Sequence, residues 1–211
     1  IDRKGLLTTK STSIKPRIQR FAQEYPEYSF EEAIDHIKPD VLIGATGVAG
    51  TFNEAIIRKM TQANQHPVII ALSNPTSHTE CTAEQAYQWS GGQVIFASGS
   101  PFGPVCYAGE WFRPAQGNNA YIYPGVGLGV YASSARLVTQ RMFLKAAEIL
   151  AQSVTDQELS AGAIYPSLAR VRAVSHAIAV TICRVAIQEG LVKTKLPEDL
   201  DSYVKSLMYD P

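Results

Sequence analysis

The sequence lacks any excess of charge, because its 19 lysines and arginines balance 19 aspartates and glutamates. A net charge near zero gives no electrostatic reason to expect nucleic acid or a membrane surface as a partner. A run of about 18 apolar residues, the length of a transmembrane helix, is also lacking, so we predict no membrane-spanning segment. The chain begins at Ile1 without an initiator Met or a signal-peptide pattern. Since Ile1 is typical of the end of a strand, we expect a fragment of a longer polypeptide.

Cysteine is scarce, with only Cys81, Cys106 and Cys183, and no CxxC pair. This spacing argues against a zinc site and against thioredoxin-like chemistry. Three reduced thiols are typical of a cytosolic protein, so we predict a cytoplasmic location. Cys81 adjoins a predicted helix start, where a thiolate can be stabilised. Without a histidine placed beside it, we do not expect a catalytic cysteine.

The chain contains a repeated pattern of apolar run, polar turn and helix. The runs at residues 41–45, 67–72 and 94–97 show no alternation, which is typical of strands buried on both faces of a parallel sheet. Each is followed by a helix or a polar turn, and this order predicts an α/β fold with a doubly wound, mostly parallel sheet. Capping-box patterns predict helix starts at four positions. These positions are Ser29, Thr51, Thr82 and Thr155.

The second half is predicted to be a helical segment at about residues 126–211. Small residues favour a closely packed helix at 126–135, and Thr139 is placed to cap the next one. A long apolar pattern at 166–189 predicts a helix that ends at Gly190, a typical C-cap residue. A short helix is predicted at 196–208.

Polar residues follow three apolar or glycine-rich segments, at residues 73–76, 97–102 and 116–119. Ligands bind at the carboxyl ends of strands in open α/β sheets, so we expect one site built from these turns. The carboxamides of Asn74, Asn118 and Asn119 can donate to a carboxylate and accept from a hydroxyl without adding charge.

Two further features point to a nucleotide. The turn at residues 44–50 lets a ligand approach its backbone, and the following helix start favours anionic groups. Asp2 is placed like the acidic residue that holds the adenosine ribose in dinucleotide-binding folds. A tight strand-to-helix turn and a solvated surface aspartate are the alternative interpretations.

Other polar residues are weaker candidates. We expect surface roles for His36 and His66, and we keep His78 as a candidate because it adjoins the Asn74 turn. Glu80 and Glu84 lack a third ligand at a useful spacing, so we predict that both act as capping charges and that this chain holds no metal.

Several motifs together resemble malic enzyme, in order along nearly the whole chain. They are residues 2–7 (DRKGLL), 38–44 (KPDVLIG), 71–76 (ALSNPT), 96–102 (FASGSPF) and 117–121 (GNNAY). The resemblance implies the C-terminal NAD-binding domain, residues 1–211, with a Rossmann-type sheet that is incomplete at its N-terminal side. Malic enzymes oxidise (S)-malate with NAD(P) and decarboxylate the oxaloacetate formed to pyruvate and CO2. A divalent metal, Mg2+ or Mn2+, polarises the C2 oxygen.

The resemblance also implies residue roles. Asp2 resembles the carboxylate that binds the adenosine ribose. Asn74 matches an asparagine at the nicotinamide and malate end of the site, and Asn118 and Asn119 match an amide pair that contacts malate. The family's turn that lines the cofactor corresponds to Thr46, Gly47, Val48 and Ala49.

The family's catalytic and metal-binding residues lie upstream of Ile1, so the resemblance implies no catalytic residue here and an isolated chain that does not turn over malate. It also implies a homo-oligomer.

The choice between NAD and NADP depends on the residues near the adenosine ribose. Arg3 can pair with a 2′-phosphate. However, Asp2 would repel that phosphate, and Gln19 stands in the region where NADP-type members share a lysine, so we predict NAD. The alternatives are a malolactic enzyme, which shares these motifs, and a non-catalytic nucleotide-binding or assembly module.

Overall fold

The computed structural model describes residues 1–2, 5–11 and 14–209. The chain divides into two compact units, Ile1–Pro114 and Ala115–Pro211.

The first unit contains a parallel sheet in which β1 (Val41–Gly44), β2 (Val68–Ala71) and β3 (Ile95–Ser98) are neighbours in that order. All three strands predicted from apolar runs are therefore present and parallel, and their carboxyl ends lie at one edge. The hairpin of β4 (Val105–Tyr107) and β5 (Glu110–Phe112) is antiparallel. The α-helices of this unit are α1 (Pro16–Gln19), α2 (Phe30–Ile37), α3 (Glu54–Ala63) and α4 (Ala83–Ser90), and a 3-10 helix (Thr76–His78) follows β2.

The core of the first unit lies between the sheet and its helices. Ile57 and Met60 of α3 are fully buried with Ile69 of β2 and Phe96 of β3. Tyr87 of α4 packs edge-on against Phe96, with a distance of 6.1 Å between the ring centroids. This apolar contact holds α3 and α4 against the sheet, because burying each such side chain stabilises the fold by about 1.5–3 kcal/mol.

The prediction that every strand is buried on both faces is wrong for β1. Val41 and Ile43 are 46% and 61% exposed, whereas Leu42 and Gly44 are buried. β1 stands first in the strand order, and Leu42 belongs to the same buried cluster as Phe52. One face of the strand therefore packs into the unit and the other faces outward.

Helix starts follow the predicted caps at three of the four capping boxes. Ser29, Thr82 and Thr155 each accept a hydrogen bond from the third helical residue, which bonds back to the cap. The box predicted at Thr51 is wrong, because Asn53 caps α3 by accepting from the Ile56 amide at 3.0 Å. The Thr51 hydroxyl instead donates to the carbonyl of Val48 at 2.7 Å.

The second unit is mostly helical, as predicted. The first helix begins at Tyr123, three residues earlier than its predicted start at Val126, and the last one is shorter than the predicted 196–208. Thr139 caps its helix as expected, by accepting from the Met142 amide. The elements are β6 (Ala115–Gln116), a 3-10 helix (Asn119–Tyr121), α5 (Tyr123–Ser133), α6 (Gln140–Gln152), α7 (Asp156–Ser160), a 3-10 helix (Leu168–Arg170), α8 (Val171–Gln188) and α9 (Leu200–Ser206).

Helices α5 and α8 approach closely because glycine stands at their contact. A Cβ built on Gly125 would lie 2.7 Å from the Ile178 Cβ, and one built on Gly129 would lie 2.5 Å from the Ile182 Cβ. No side chain fits at these two positions without moving α8. The small-residue pattern that predicted a closely packed helix is thus explained.

The segment Leu168–Gln188 is long and apolar enough to cross a membrane by length and composition alone. Half of its most apolar stretch is buried inside the structure, with Val174, Ile178 and Ile182 in the core of the second unit. Its apolar side chains therefore serve the packing of a core helix.

Candidate functional site

The turns that follow β1, β2 and β3 lie side by side. The Leu72 amide donates to the Gly44 carbonyl at 2.9 Å, and the Gly99 amide donates to the Ala71 carbonyl at 2.8 Å. These bonds extend the sheet pairing past the ends of the strands and fix the three turns as neighbours. Two of the predicted polar turns, at residues 73–76 and 97–102, therefore share one edge with the glycine-containing turn at residues 44–50.

A buried carboxylate joins the first two of these turns. Glu80 has no exposed surface. Its oxygens accept four hydrogen bonds, from the Thr46 amide (2.8 Å), the Thr46 hydroxyl (2.8 Å), the Ser73 amide (3.2 Å) and the Ser73 hydroxyl (2.5 Å). Because all four donors come from the two turns, Glu80 holds them in a fixed relation.

The same contacts decide the charge of Glu80. Burial raises the pKa of this carboxyl, but the hydrogen bonds from Ser73 and Thr46 together outweigh burial and hold the pKa below its ordinary value. The side chain is therefore ionised at neutral pH. The prediction that Glu80 is a capping charge is wrong, because α4 begins only at Ala83 and Glu84 is the acidic residue of its first turn.

The turn predicted to line the cofactor is exposed along residues 45–50. The Gly47 amide donates to the Ser73 hydroxyl oxygen at 2.8 Å, and the Val48 amide donates to the Thr46 hydroxyl oxygen at 3.1 Å. A Cβ built on Gly47 would meet nothing within 4 Å. The outer side of this turn, which includes Ala49, is thus open to a ligand while its inner side is held by Ser73 and Glu80.

His78 and Asn74 belong to the turn after β2. The Nδ1 atom of His78 lies 3.2 Å from the Gly47 carbonyl oxygen, so the histidine contacts the predicted cofactor turn. Asn74 is exposed, and the peptide bond between Asn74 and Pro75 is cis. The structure therefore places His78 in contact with the turn at Gly47, and its role as a site residue stays a prediction.

Asp2 and Gln19 were singled out for the ribose end of a nucleotide. The Asp2 amide donates to the Gly5 carbonyl at 2.9 Å and the Gly5 amide donates back at 3.2 Å, so residues 2 and 5 form a tight bridge. Gln19 is exposed at the end of α1. Arg3, which was considered as a partner for a 2′-phosphate, lies outside the described residues.

The amide pair belongs to the second unit. The side-chain oxygen of Asn118 accepts from the Ala120 amide at 2.8 Å and so caps the 3-10 helix Asn119–Tyr121. Across the residues described, the side-chain amide of Asn119 makes no hydrogen bond and is exposed. Behind the pair, the buried Tyr121 hydroxyl donates to the Pro166 carbonyl at 2.5 Å. Asn118 is thus partly occupied by its own backbone, whereas Asn119 is available to a ligand.

Asn74 lies in the first unit, and Asn118 and Asn119 lie in the second. That the three amides meet one substrate therefore stays a prediction.

Acidic side chains and thiols were also considered from the sequence, as metal ligands or reactive groups. Within residues 1–2, 5–11 and 14–209, no group of three or more His, Cys, Asp or Glu side chains is arranged to hold a metal ion. Burial raises the pKa of the Cys81 thiol to about 12, with a smaller effect from the neighbouring Glu80 charge. The suggestion of a stabilised thiolate at Cys81 is wrong, because this thiol lies in the core rather than at a helix end open to solvent.

The family model described as "Malic enzyme, NAD binding domain" matches residues 1–187. Relatives named NADP-dependent malic enzyme include one from Dictyostelium discoideum, 44% identical over the whole chain and 40% of its own length. Others are a chloroplastic protein from Zea mays, 46% identical over the whole chain and 34% of its own length, and a mitochondrial protein from Homo sapiens, 44% identical over the whole chain and 35% of its own length.

Solved structures give the same fold. The crystal structure of the Entamoeba histolytica malic enzyme superposes with a TM-score of 0.75 at 19% identity, covering 98% of this chain and 40% of that one. The malic enzyme from Pyrococcus horikoshii superposes with a TM-score of 0.65 at 25% identity, covering 87% of this chain and 38% of that one. The predicted Rossmann-type α/β fold is therefore confirmed. The chain spans about two fifths or less of the length of these proteins.

Proposed function

This chain belongs to the malic enzyme family, and from that membership we propose that it serves as the nucleotide-binding domain of an enzyme that converts (S)-malate to pyruvate and CO2. The observation that carries the proposal is the family match over residues 1–187. The matched range includes the exposed turn after β1, whose Gly47 amide donates to the Ser73 hydroxyl, and this hydroxyl in turn donates to Glu80. In open α/β sheets ligands bind at this edge. A pyridine nucleotide held there would supply the hydride acceptor for malate oxidation.

In this proposal the residues of the chain bind and orient the reactants. Residues 46–49 line the cofactor with their backbone, because one side of the turn is exposed and the other is held by the hydrogen bond to Ser73. Asn74 lies at the nicotinamide end and contacts both cofactor and malate. Asn118 and Asn119 donate to the malate carboxylate or accept from its hydroxyl, as neutral amides can. Such positioning brings C2 of malate into reach of the cofactor. It accelerates hydride transfer by orienting the reactants, and these side chains transfer no proton.

The divalent metal implied by the family does not fit the residues of this chain taken alone. The part of the chain that the structure describes offers no set of three ligating side chains. We therefore assign no metal ligand to it and propose that Mg2+ or Mn2+ is held by residues outside this chain.

For the cofactor, we propose NAD. Asp2 in the ribose position would repel the 2′-phosphate of NADP, and the neutral Gln19 adds no compensating charge. NADP is the second candidate, because the relatives from Dictyostelium discoideum, Zea mays and Homo sapiens are named NADP-dependent. The ratio of kcat/KM with NAD to kcat/KM with NADP, measured on the full-length protein, decides between them.

The experiment that tests the function follows malate turnover by the full-length protein with Mg2+ or Mn2+ and either nucleotide. We expect reduced nucleotide and pyruvate to accumulate in equal amounts. Lactate and CO2 without reduced nucleotide would support the malolactic alternative instead. Nucleotide binding without turnover would support the non-catalytic module. The 211-residue chain, assayed in parallel, is expected to be inactive.

We further propose that the full-length protein is a cytoplasmic homo-oligomer. Light scattering after size exclusion gives its mass, and the mass of a monomer would overturn the proposed oligomer. Fractionation of the source cells tests the cytoplasmic location.

A further inference from the structure

We propose that Glu80 is a positioning residue of the nucleotide and substrate site, which sets the relative placement of the Thr46–Gly47 turn and of Asn74. This inference rests on the proposed function, because it assumes that the two turns bind nucleotide and substrate. The ordering of the turns by Glu80 can nevertheless be measured without turnover. Glu80 itself touches no proposed ligand. It acts through the two turns that it joins.

The first argument is the direction of the hydrogen bonds. These four donors all belong to Thr46 and Ser73, and none of them comes from α4, which begins three residues after Glu80. Ser73 is the residue before Asn74, and its amide is fixed by the carboxylate at 3.2 Å. The start of the Asn74 turn is thus set by Glu80 rather than by the strand alone.

The second argument is the close packing around the carboxylate. A Cβ built on Gly44 would lie 2.7 Å from both Cγ and Cδ of Glu80. The backbone of the preceding segment adds two bonds, since the Gly50 amide donates to the Thr79 carbonyl at 3.3 Å and the Phe52 amide donates to the Glu80 carbonyl at 3.0 Å. Residues 79–80 therefore hold both ends of the cofactor turn.

The third argument is charge. A buried carboxylate without a cationic partner is costly unless hydrogen bonds to its charged form compensate. The four donors supply this compensation, so the observed arrangement of the turns stabilises the ionised form of Glu80. The Thr46 amide and the Ser73 amide donate to different oxygens of the carboxylate. A glutamine at this position therefore presents its NH2 group to one of these two amides, and that backbone donor is left without an acceptor.

The test uses the full-length protein with Glu80→Gln and the matched control Glu84→Gln, which changes the exposed glutamate in the first turn of α4. We expect Glu80→Gln to raise the dissociation constants of NADH and NADPH and the KM for malate by about tenfold or more, from the loss of charge-assisted hydrogen bonds. Glu84→Gln should match the wild type in all three constants.

A residue that only stabilises the fold would lower the melting temperature and leave these constants unchanged in the folded fraction. That result, or equal constants for the two variants, would overturn the proposal. If Glu80→Gln does not fold, Ser73→Ala replaces it, since it removes one donor to Glu80 and the acceptor of the Gly47 amide. We expect Ser73→Ala to weaken NADH binding by about threefold to tenfold.

Backbone amide exchange at Thr46, Gly47 and Ser73 separates this inference from the proposed function. We expect these amides to exchange faster in Glu80→Gln or Ser73→Ala than in Glu84→Gln. If the wild type shows no malate turnover, the proposed function fails, but the exchange rates still decide whether Glu80 orders the two turns. Unchanged exchange at all three amides would refute the positioning role.

Discussion

The Ser73 hydroxyl accepts a hydrogen bond from the Gly47 amide at 2.8 Å, although the two residues follow different strands of the sheet. The same hydroxyl donates to Glu80 at 2.5 Å. Ser73 therefore links the buried carboxylate to the turn proposed to line the cofactor through two hydrogen bonds. The inward side of this turn is thus held by hydrogen bonds, while residues 45–50 are exposed on its outward side.

Acid should remove the contribution of Glu80 to stability. Its pKa is lower in the folded state than in the unfolded chain, so the contribution is complete above the ordinary pKa of 4.5 and is lost as the pH falls through the folded pKa. We expect the difference in unfolding free energy between wild type and Glu80→Gln to be constant near neutral pH and to shrink below about pH 4.5. Urea unfolding of both proteins over this range measures it. A difference that grows in acid would contradict the assignment.

The contact between α5 and α8 predicts opposite effects for two glycines of one helix. Gly129→Ala should lower the free energy of unfolding by about 1–3 kcal/mol, because its Cβ would overlap Ile182. Gly127→Ala is the matched control, since a Cβ there meets nothing within 4 Å and alanine favours the helix by roughly 1 kcal/mol. Denaturant unfolding compares the two variants with the wild type. Equal destabilisation by both would show that the close approach does not matter.

The two asparagines of the amide pair should differ in a way that sequence alone did not settle. Asn119→Ala is expected to leave stability within about 0.5 kcal/mol of the wild type, because its side chain makes no hydrogen bond to the described residues. We expect the same variant to lower kcat/KM for malate by about tenfold or more. Asn118→Ala should cost about 1 kcal/mol from the lost cap, whereas Asn118→Ser keeps an acceptor. Steady-state kinetics and unfolding measured on the same preparations check both statements.

Thiol labelling should distinguish the three cysteines. Cys106 is exposed, whereas burial raises the pKa values of Cys81 and Cys183 to about 12 and about 11. A thiolate is the reactive form, so an alkylating reagent at neutral pH should modify Cys106 alone among these three. Peptide mapping locates the label, Cys106→Ser removes it, and urea exposes the other two. Labelling of Cys81 in the folded protein would show that this residue is not core.

Much of the secondary structure was predictable because its signals are local. The three strands appear where unbroken apolar runs predicted them, and the boxes at Ser29, Thr82 and Thr155 cap their helices as the spacing of side chain and amide requires. The miss at Thr51 has a local cause too, since Asn53 competes for the same helix and caps it. Helix ends were less accurate, because the last turn depends on what packs against it.

The sequence by itself determined the family, the strand and helix order and the polar turns at strand ends, because these depend on motifs and on residues within one or two turns of each other. Only the tertiary structure decided which groups donate to Glu80, which lies 34 positions from Thr46 and fits no periodic pattern. It also decided that β1 is exposed on one face and that Asn118, not Asn119, is engaged by its own backbone. These properties depend on which residues, distant in the sequence, come into contact in the folded chain. Burying a charged group costs free energy, and hydrogen bonds from nearby donors offset that cost.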